Sequence, residues 1–449
     1  MLVRNVPPLG ARCRRLLLLL RSWSSAATYS SSTPAGAKVT PSQLPHVTAP
    51  LFAGLLKKVG LSQRKVHALY ANEGDHSGPY ETFPIAVAFS GGADSMALTL
   101  LLRQYLQQQR IRTPLLAITV DHRLRVESTE EAEGIGRIVT DKWGVEHVIA
   151  QCEWAQEEED DGVNVSLQSS PSSFMHRVPV KPRGSKLQEE ARRYRYALLQ
   201  QVCREKNVKY LFVAHNLGDQ LETMLFRLGR ASGINGLAGI AKVSTLGSDV
   251  AVGDENNGGD EDQDSAESEV KLVRPLLSIT KPQLKATCRR FQQEWVEDPS
   301  NEKLLFDRIR IRKELERLEA ERGPKVLELF SKFQQHAAKA KNEFARAERR
   351  ILRKYVVKGE TDHVILQMAF LDDDLMFEEL SVRVVSKIIQ AIGNKDTPPR
   401  LASVLRLVAE LKRLESGKTL TLSGCRITKK FKGKHVHFEP ERKRQLCAQ

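Results

Sequence analysis

Apolar residues fill Phe83-Pro84-Ile85-Ala86-Val87-Ala88-Phe89, as a strand buried on both faces requires. They return at Met96-Ala97-Leu98-Thr99-Leu100-Leu101-Leu102 over the length of a helix packed on a sheet. Further runs at Leu115 to Val120, Val145 to Ala150 and Tyr210 to Ala214 read as strands, separated by helical patterns from about Thr129 to Trp143 and from Leu187 to about Lys206. Strands alternating with helices at this spacing predict right-handed βαβ crossovers and a parallel sheet. Ligands of such sheets bind outside the carboxyl ends of the strands, so Asp121-His122 is expected beside the segment Ser90 to Ser95. A last strand, Lys271 to Leu277, carries Pro275 near its end and is expected to complete the sheet at an edge.

Outside this alternation, Leu51 to Tyr70 has helical spacing and predicts one helix packed on the sheet domain. Gly229, Gly233, Gly236 and Gly239 mark a turn-rich segment. Leu284 to Phe291 and Leu304 to Ala320 predict helices with a turn at Trp295 to Asn301 between them. Pro324 opens a long helix with Val326, Leu329, Phe330, Phe333, Phe344, Ile351 and Val356 on its apolar face. Leu380 to Ile392 and Leu401 to Leu414 predict a helical pair, and Thr419 to Phe438 alternates like a hairpin turning near Gly433. Two segments cannot bury a core: Gln156 to Lys186, with its acids, serines and prolines, and Gly247 to Glu269, with nine acids and no Lys or Arg. Both read as flexible insertions.

Charge changes the picture at the N-terminus. Met1 to Asn72 contains no acidic residue, Arg4, Arg12, Arg14, Arg15 and Arg21 surround Leu16 to Leu20, and a serine-rich stretch follows. That is transit-peptide composition, and the leucine run is too short to span a membrane. The expected destination is the mitochondrial matrix, ahead of a plastid. The whole chain of 449 residues has a net charge of +14, which fits a polyanionic partner such as RNA, and its length allows two or three domains. Six cysteines, at 13, 152, 203, 288, 425 and 447, form no CxxC pair, against a zinc ribbon, an iron–sulfur cluster or a disulfide framework.

Candidate chemistry sits where strand meets helix. In Ser90-Gly91-Gly92-Ala93-Asp94-Ser95 two glycines let the backbone approach a ligand, and the helix N-terminus that follows favours an anion. No Walker A lysine is present there, which disfavours kinase or GTPase chemistry; Gly417-Lys418-Thr419 mimics the end of such a loop, but Lys412 stands where its first glycine belongs. Asp219 and Glu222, three apart at the start of a helix, share one helical face toward the ligand crevice. Such a pair suits an ammonium group or a Mg²⁺ ion, or simply a helix N-terminus.

The hexapeptide resembles the SGGxDS signature of the PP-loop ATP pyrophosphatases. Asp121 to Arg125 resembles a DHGLR block, Glu190 to Tyr196 an EARxxRY block, and Ala214 to Thr223 an AHHxDDQxET block. With Arg227 to Ile240, Arg274-Pro275-Leu276-Leu277, Glu297 to Asn301 and Arg308 to Arg312, these follow the order found in the tRNA(Ile)-lysidine synthetases across roughly 83–315.

The resemblance implies an α/β fold: a parallel-sheet, Rossmann-like PP-loop domain of the adenine nucleotide alpha-hydrolase type, followed by helical and small α+β C-terminal regions. The expected partition is a targeting segment and spacer at 1–45, an ATP-binding catalytic domain at 46–300, a helical linker and recognition region at 301–370, and a tRNA-binding region at 371–449. It implies ATP-dependent ligation of L-lysine to C2 of the wobble cytidine of a CAU-anticodon tRNA(Ile), through an adenylated cytidine. Ser90, Gly91, Gly92, Ala93, Asp94 and Ser95, with Asp121, His122 and His215, would contact ATP, and Asp94 would help hold Mg²⁺. Asp219 and Glu222 would receive the lysine, and Arg192, Arg195 and Arg308 would offset phosphate charge. The resemblance admits a homodimer and calls for no membrane partner.

Four positions depart from the pattern: Asn216 for the second His, Gly218 for the first acid of the DD pair, Arg123 for a Gly and Ile309 for an Asn. Two alternatives remain, a PP-loop tRNA thiolase, against which the scattered cysteines argue, and an inactive RNA-binding homologue. The basic run Thr428 to Lys434, with Phe431 inside it, suits an RNA backbone.

Overall fold

The computed structural model describes residues 45–70, 83–123, 127–154, 187–230, 232–247, 269–297, 307–358, 363–373, 376, 378–395, 399–430 and 432–441. The expected targeting segment, the insertion at 156–186, nearly all of the acidic segment at 247–269, and the turn beyond residue 297 lie outside them. Two compact units divide the chain between Gln334 and Gln335, inside the span 301–370 expected as one region.

The first unit opens with two helices where the sequence pattern predicts one. Helix α1 (Ala49–Lys58) is capped by the Thr48 side chain, and α2 (Gln63–Tyr70) follows a break at Gly60, whose φ of 82° ends the first helix. Phe52 of α1 meets Tyr105 edge-on at 6.3 Å, which seats α1 on the sheet domain.

Next come β1 (Ile85–Ala88), α3 (Ala93–Gln108), β2 (Leu115–Asp121), α4 (Ser128–Arg137) with a π-turn at Ile138–Lys142, and β3 (Glu146–Gln151). They are followed by α5 (Leu187–Glu205), β4 (Tyr210–Val213), α6 (Leu217–Gly229), the short α7 (Gly233–Leu237), β5 (Val243–Thr245), β6 (Lys271–Val273) and α8 (Lys281–Arg290). Helix α9 (Asp307–Arg322) leads into α10 (Lys325–Tyr355), within which the two units divide.

The sheet order is β3-β2-β1-β4-β6-β5, parallel except for β5. Burial on both faces explains the unbroken apolar runs. Ile85, Val87 and Phe89 join one core with Met96, Leu101 and Leu284, while Ala86 and Ala88 join another with Tyr196, Leu199 and Leu211. The edge prediction for the last strand fails. Pro275 lies beyond the ladder, so β6 keeps its N–H groups and pairs with β4 on one side and β5 on the other. The three-residue β5 is too short to announce itself in the sequence.

In the second unit, β7 (Val356–Lys358) and β8 (Val364–Gln367) precede α11 (Glu378–Ile392) and α12 (Leu401–Arg413). Strands β9 (Thr419–Leu422), β10 (Cys425–Lys430) and β11 (His435–Pro440) complete an antiparallel sheet ordered β7-β8-β11-β10-β9. The expected hairpin is therefore three strands, because Ser423 and Gly424, both with positive φ, turn the chain once more. Val356, expected on the long helix, starts β7, and Leu329 and Phe333 stand half-exposed rather than in a core. Among the described residues, no helix is long and apolar enough to cross a membrane.

Candidate active site

The loop between β1 and α3 is held from several sides. Gly91 has a φ of 74°, and a Cβ there would lie 2.3 Å from Ile135 Cδ1 of α4. Its carbonyl accepts a hydrogen bond from the Val296 N–H at 3.0 Å. The Ser95 hydroxyl accepts from the Ser90 N–H at 3.3 Å and donates to the Gly92 carbonyl at 3.0 Å, bracing the turn from inside. Gly92, extended at the N-cap of α3, offers no side chain to the first helical N–H groups, which leaves them to an anion.

Helix α6 reaches this loop through Asn216. The Asn216 side chain accepts from the Asp219 N–H at 3.2 Å while the Asp219 carboxylate accepts from the Asn216 N–H at 2.9 Å, a reciprocal cap that starts the helix. The Asn216 amide also donates to Asp94 Oδ2 at 3.0 Å. One side chain thus ties the acid in the first turn of α3 to the acids of α6. Asp94 Oδ1 is buried and finds no hydrogen-bond partner among the described residues.

Glu222 is buried and takes two hydrogen bonds from Arg312 on α9, from Nε at 3.2 Å and Nη2 at 2.8 Å. Arg312 also lies 3.9 Å from Asp219 Oδ1. Leu217, Leu221, Met224 and Leu225 of α6 pack on Ile311, Leu315 and Leu318 of α9, which holds the two helices in this relation. Burial raises all three carboxyls above their ordinary values; Lys281 and Arg312 pull Asp94 back down, and Arg312 does so for Glu222. A cluster of acids whose charge is costly to bury is ready to accept a further cation or a proton.

Arginines gather on the other side. Burial and the charges of Arg274, Arg195, Arg192 and Arg308 hold His215 neutral, well below its ordinary value, and its buried Nδ1 finds no partner among the described residues. Arg192 lies over the Tyr196 ring at 4.9 Å, and Arg308 over Phe226 at 5.2 Å. Burial lowers both Arg195 and Arg308, with Arg192 adding to each shift. Crowded positive charge around a neutral histidine suits an anion such as phosphate.

Strand β2 contributes less freely than expected. Asp121 accepts from the Ser128 and Thr129 hydroxyls, each at 2.7 Å, and from the Arg123 N–H at 3.0 Å, so its carboxylate is engaged at the start of α4. His122 is pushed down to about 4 by burial and the Arg195 charge, and its carbonyl accepts from Trp154 Nε1 at 2.8 Å. Arg123 stands at a φ of 48°, the left-handed conformation that the glycine of the resembling pattern adopts without strain.

Of the residues picked from the sequence, Asp94, Asp219, Glu222 and Arg308 come together, as do Arg192, Arg195, Arg308 and His215, with His122 adjoining Arg195. Asn216, Lys281 and Arg312 were missed. The signal for Arg312 was its place four residues after Arg308, on the same helical face. Asn216 had shown only as a departure from a motif.

Residues 61–319 match the PP-loop domain family. A tRNA(Ile)-lysidine synthase of Hyphomonas neptunium is 32% identical over 358 residues, covering 80% of this chain and 82% of that protein. One of Wolbachia pipientis wMel is 28% identical over 349 residues, covering 77% and 68%. Among solved structures, a U34-tRNA thiolase from Methanococcus maripaludis aligns with 64% of this chain and 80% of its own, at 18% identity and a TM-score of 0.39.

Proposed function

This chain belongs to the tRNA(Ile)-lysidine synthase family of PP-loop enzymes, and from that membership we propose that it joins L-lysine to C2 of the wobble cytidine in a CAU-anticodon tRNA(Ile). It is a ligase-type enzyme of tRNA modification that uses ATP. The observation that supports the finer reading is the Asn216 bridge, which ties Asp219, at the start of the helix that also carries Glu222, to Asp94 in the first turn after the glycines.

In this reading the first-turn N–H groups of α3 and the backbone of Gly91 and Gly92 grip the ATP phosphates. The cytidine O2 attacks the α-phosphorus and pyrophosphate leaves. Arg192, Arg195 and Arg308 balance the charge that develops. The lysine ε-amine, held by Asp219 and Glu222, then attacks C2, and AMP departs with the former O2. The amine must lose its protons, and Asp219, with its affinity for a proton raised by burial, accepts one. Proximity supplies much of the rate. Asp94, with a buried carboxylate oxygen that has no partner among the described residues and Asp219 nearby, fits a Mg²⁺ ligand. When bound, Mg²⁺ would offset phosphate charge.

Sulfur transfer finds no support in Cys152, Cys203, Cys288 or Cys425: each is buried, and burial pushes each thiol up to about 12, away from the reactive thiolate. The test is incubation of the full chain with ATP, labelled lysine and CAU-anticodon tRNA(Ile). Label in RNA with equimolar AMP is expected; tight tRNA binding without label, or sulfur-dependent modification, refutes the proposal. The acid-free N-terminus supports a mitochondrial matrix location, which import of a reporter fused to residues 1–45 would test.

A further inference from the structure

The sheet of the second unit buries one face, with Leu366, Ile427, Val436 and Phe438 in its core. Its other face mixes polar side chains with Ile365 and Val357, and strand register decides which residues meet there. Strand β11 pairs with β8 from His435↔Gln367 to Phe438↔Val364, and one more step in that register sets Glu439 opposite His363. Alternation puts His437 and Glu439 on the same face of β11, away from Val436 and Phe438. Three side chains from two distant stretches of sequence therefore converge.

His363 Nε2 and His437 Nδ1 are 2.8 Å apart, with ring centroids 4.9 Å apart and planes 28° from parallel. His363 Nε2 is 3.8 Å from Glu439 Oε1. One ligand atom from each of the three residues lies within 4.8 Å of the others. A tetrahedral zinc ion with ligands at about 2.0–2.2 Å spaces them roughly 3.3–3.6 Å apart, so small side-chain shifts suffice. The remaining Glu439 oxygen accepts from Arg426, directly across on β10, which orients the carboxylate as an outer-sphere partner does. Lys430 approaches the first oxygen at 3.8 Å, but its side chain is 46% exposed and free to turn to solvent.

We propose that His363, His437 and Glu439 bind one divalent transition-metal ion of the zinc class, tying the start of β8 to β11. Two imidazoles and one carboxylate suit zinc and its neighbours better than Mg²⁺, which prefers oxygen donors. Three protein ligands leave one position for water. The site uses no residue of the ATP-binding unit, so it stands or falls independently of the lysine-ligase reading.

The test loads the full chain with Co²⁺, dialyses it, and measures bound metal together with the visible ligand-field spectrum. One equivalent with a low-symmetry, nitrogen-containing spectrum is expected in the wild type and in Asp94→Asn. His363→Ala, at a part-exposed position, should lose it, and Glu439→Gln should weaken it about 100-fold or more, beyond an outer-sphere loss. His437→Ala removes a buried ring, so His363→Ala carries the conclusion, with its circular dichroism checked against the wild type. Equal Co²⁺ in wild type and His363→Ala, whether none or one equivalent, overturns the proposal.

Discussion

Replacing Arg312 with methionine leaves Glu222 without its partner in a nearly closed site. The Glu222 side chain is 6% exposed and that of Arg312 is 34% exposed. Breaking a fully buried pair costs about 3–5 kcal/mol; with a third of Arg312 in contact with water, we expect about 2–3 kcal/mol for Arg312→Met. Glu222→Gln should cost about 1 kcal/mol, since an amide oxygen still accepts from the guanidinium. The double variant should cost well under the sum, with a coupling of about 1.5 kcal/mol, because neither charge is then stranded.

Urea unfolding followed by tryptophan fluorescence reads this cleanly, as Trp23, Trp143, Trp154 and Trp295 all precede the boundary at Gln334. Acid adds a second signature. Burial already raises Glu222, and removing Arg312 raises it further. Between the unfolded and folded values the native state binds more protons, so stability falls as pH rises, and Arg312→Met should partly recover on acidification toward the unfolded value. Additivity of the two single substitutions within about 0.5 kcal/mol would refute the argument that Arg312 neutralises Glu222.

Gly91→Ala combines a left-handed φ with a clash against Ile135, and should cost about 2–4 kcal/mol in the same assay; adding Ile135→Ala should recover the clash but not the backbone strain. Arg123→Gly should be about 0.5–1 kcal/mol more stable than Arg123→Ala, since both lose the side chain and only glycine relaxes at a φ of 48°. His122 at about 4, against an ordinary 6.5, makes the unfolded state bind protons first, so stability should fall by up to about 3 kcal/mol between pH 6.5 and 4; His122→Gln should flatten that slope. Asn216→Ala removes the cap of α6 and the donor to Asp94 together, and a loss of about 1–2 kcal/mol by urea titration is expected. No change there would mean that the bridge does not hold the helix.

Much that depends on neighbours in sequence could be read from the chain itself, although the break at Gly60, the turn at Ser423-Gly424 and the cap at Asn216 are local and went unread. The apolar runs announced β1, β2 and β4 because both faces of those strands are buried. Two glycines between strand and helix announced a tight turn, and the spacing of Asp219 and Glu222 announced a shared face. What escaped was settled by groups far apart along the chain. Glu222 and Arg312 are 90 residues apart, and Asp94 and Asn216 are 122 apart. Asp121 is taken up by the Ser128 and Thr129 hydroxyls, partners that its place at a strand end does not reveal. The short β5 and β7 carry too few residues to show a period, and the register that opposes Glu439 to His363 exists only once β8 and β11 pair. Local pattern sets which elements form, since backbone conformation and burial act residue by residue; the tertiary structure alone decides which charges share a low-dielectric space, since the cost of burying a charge depends on what lies beside it in three dimensions.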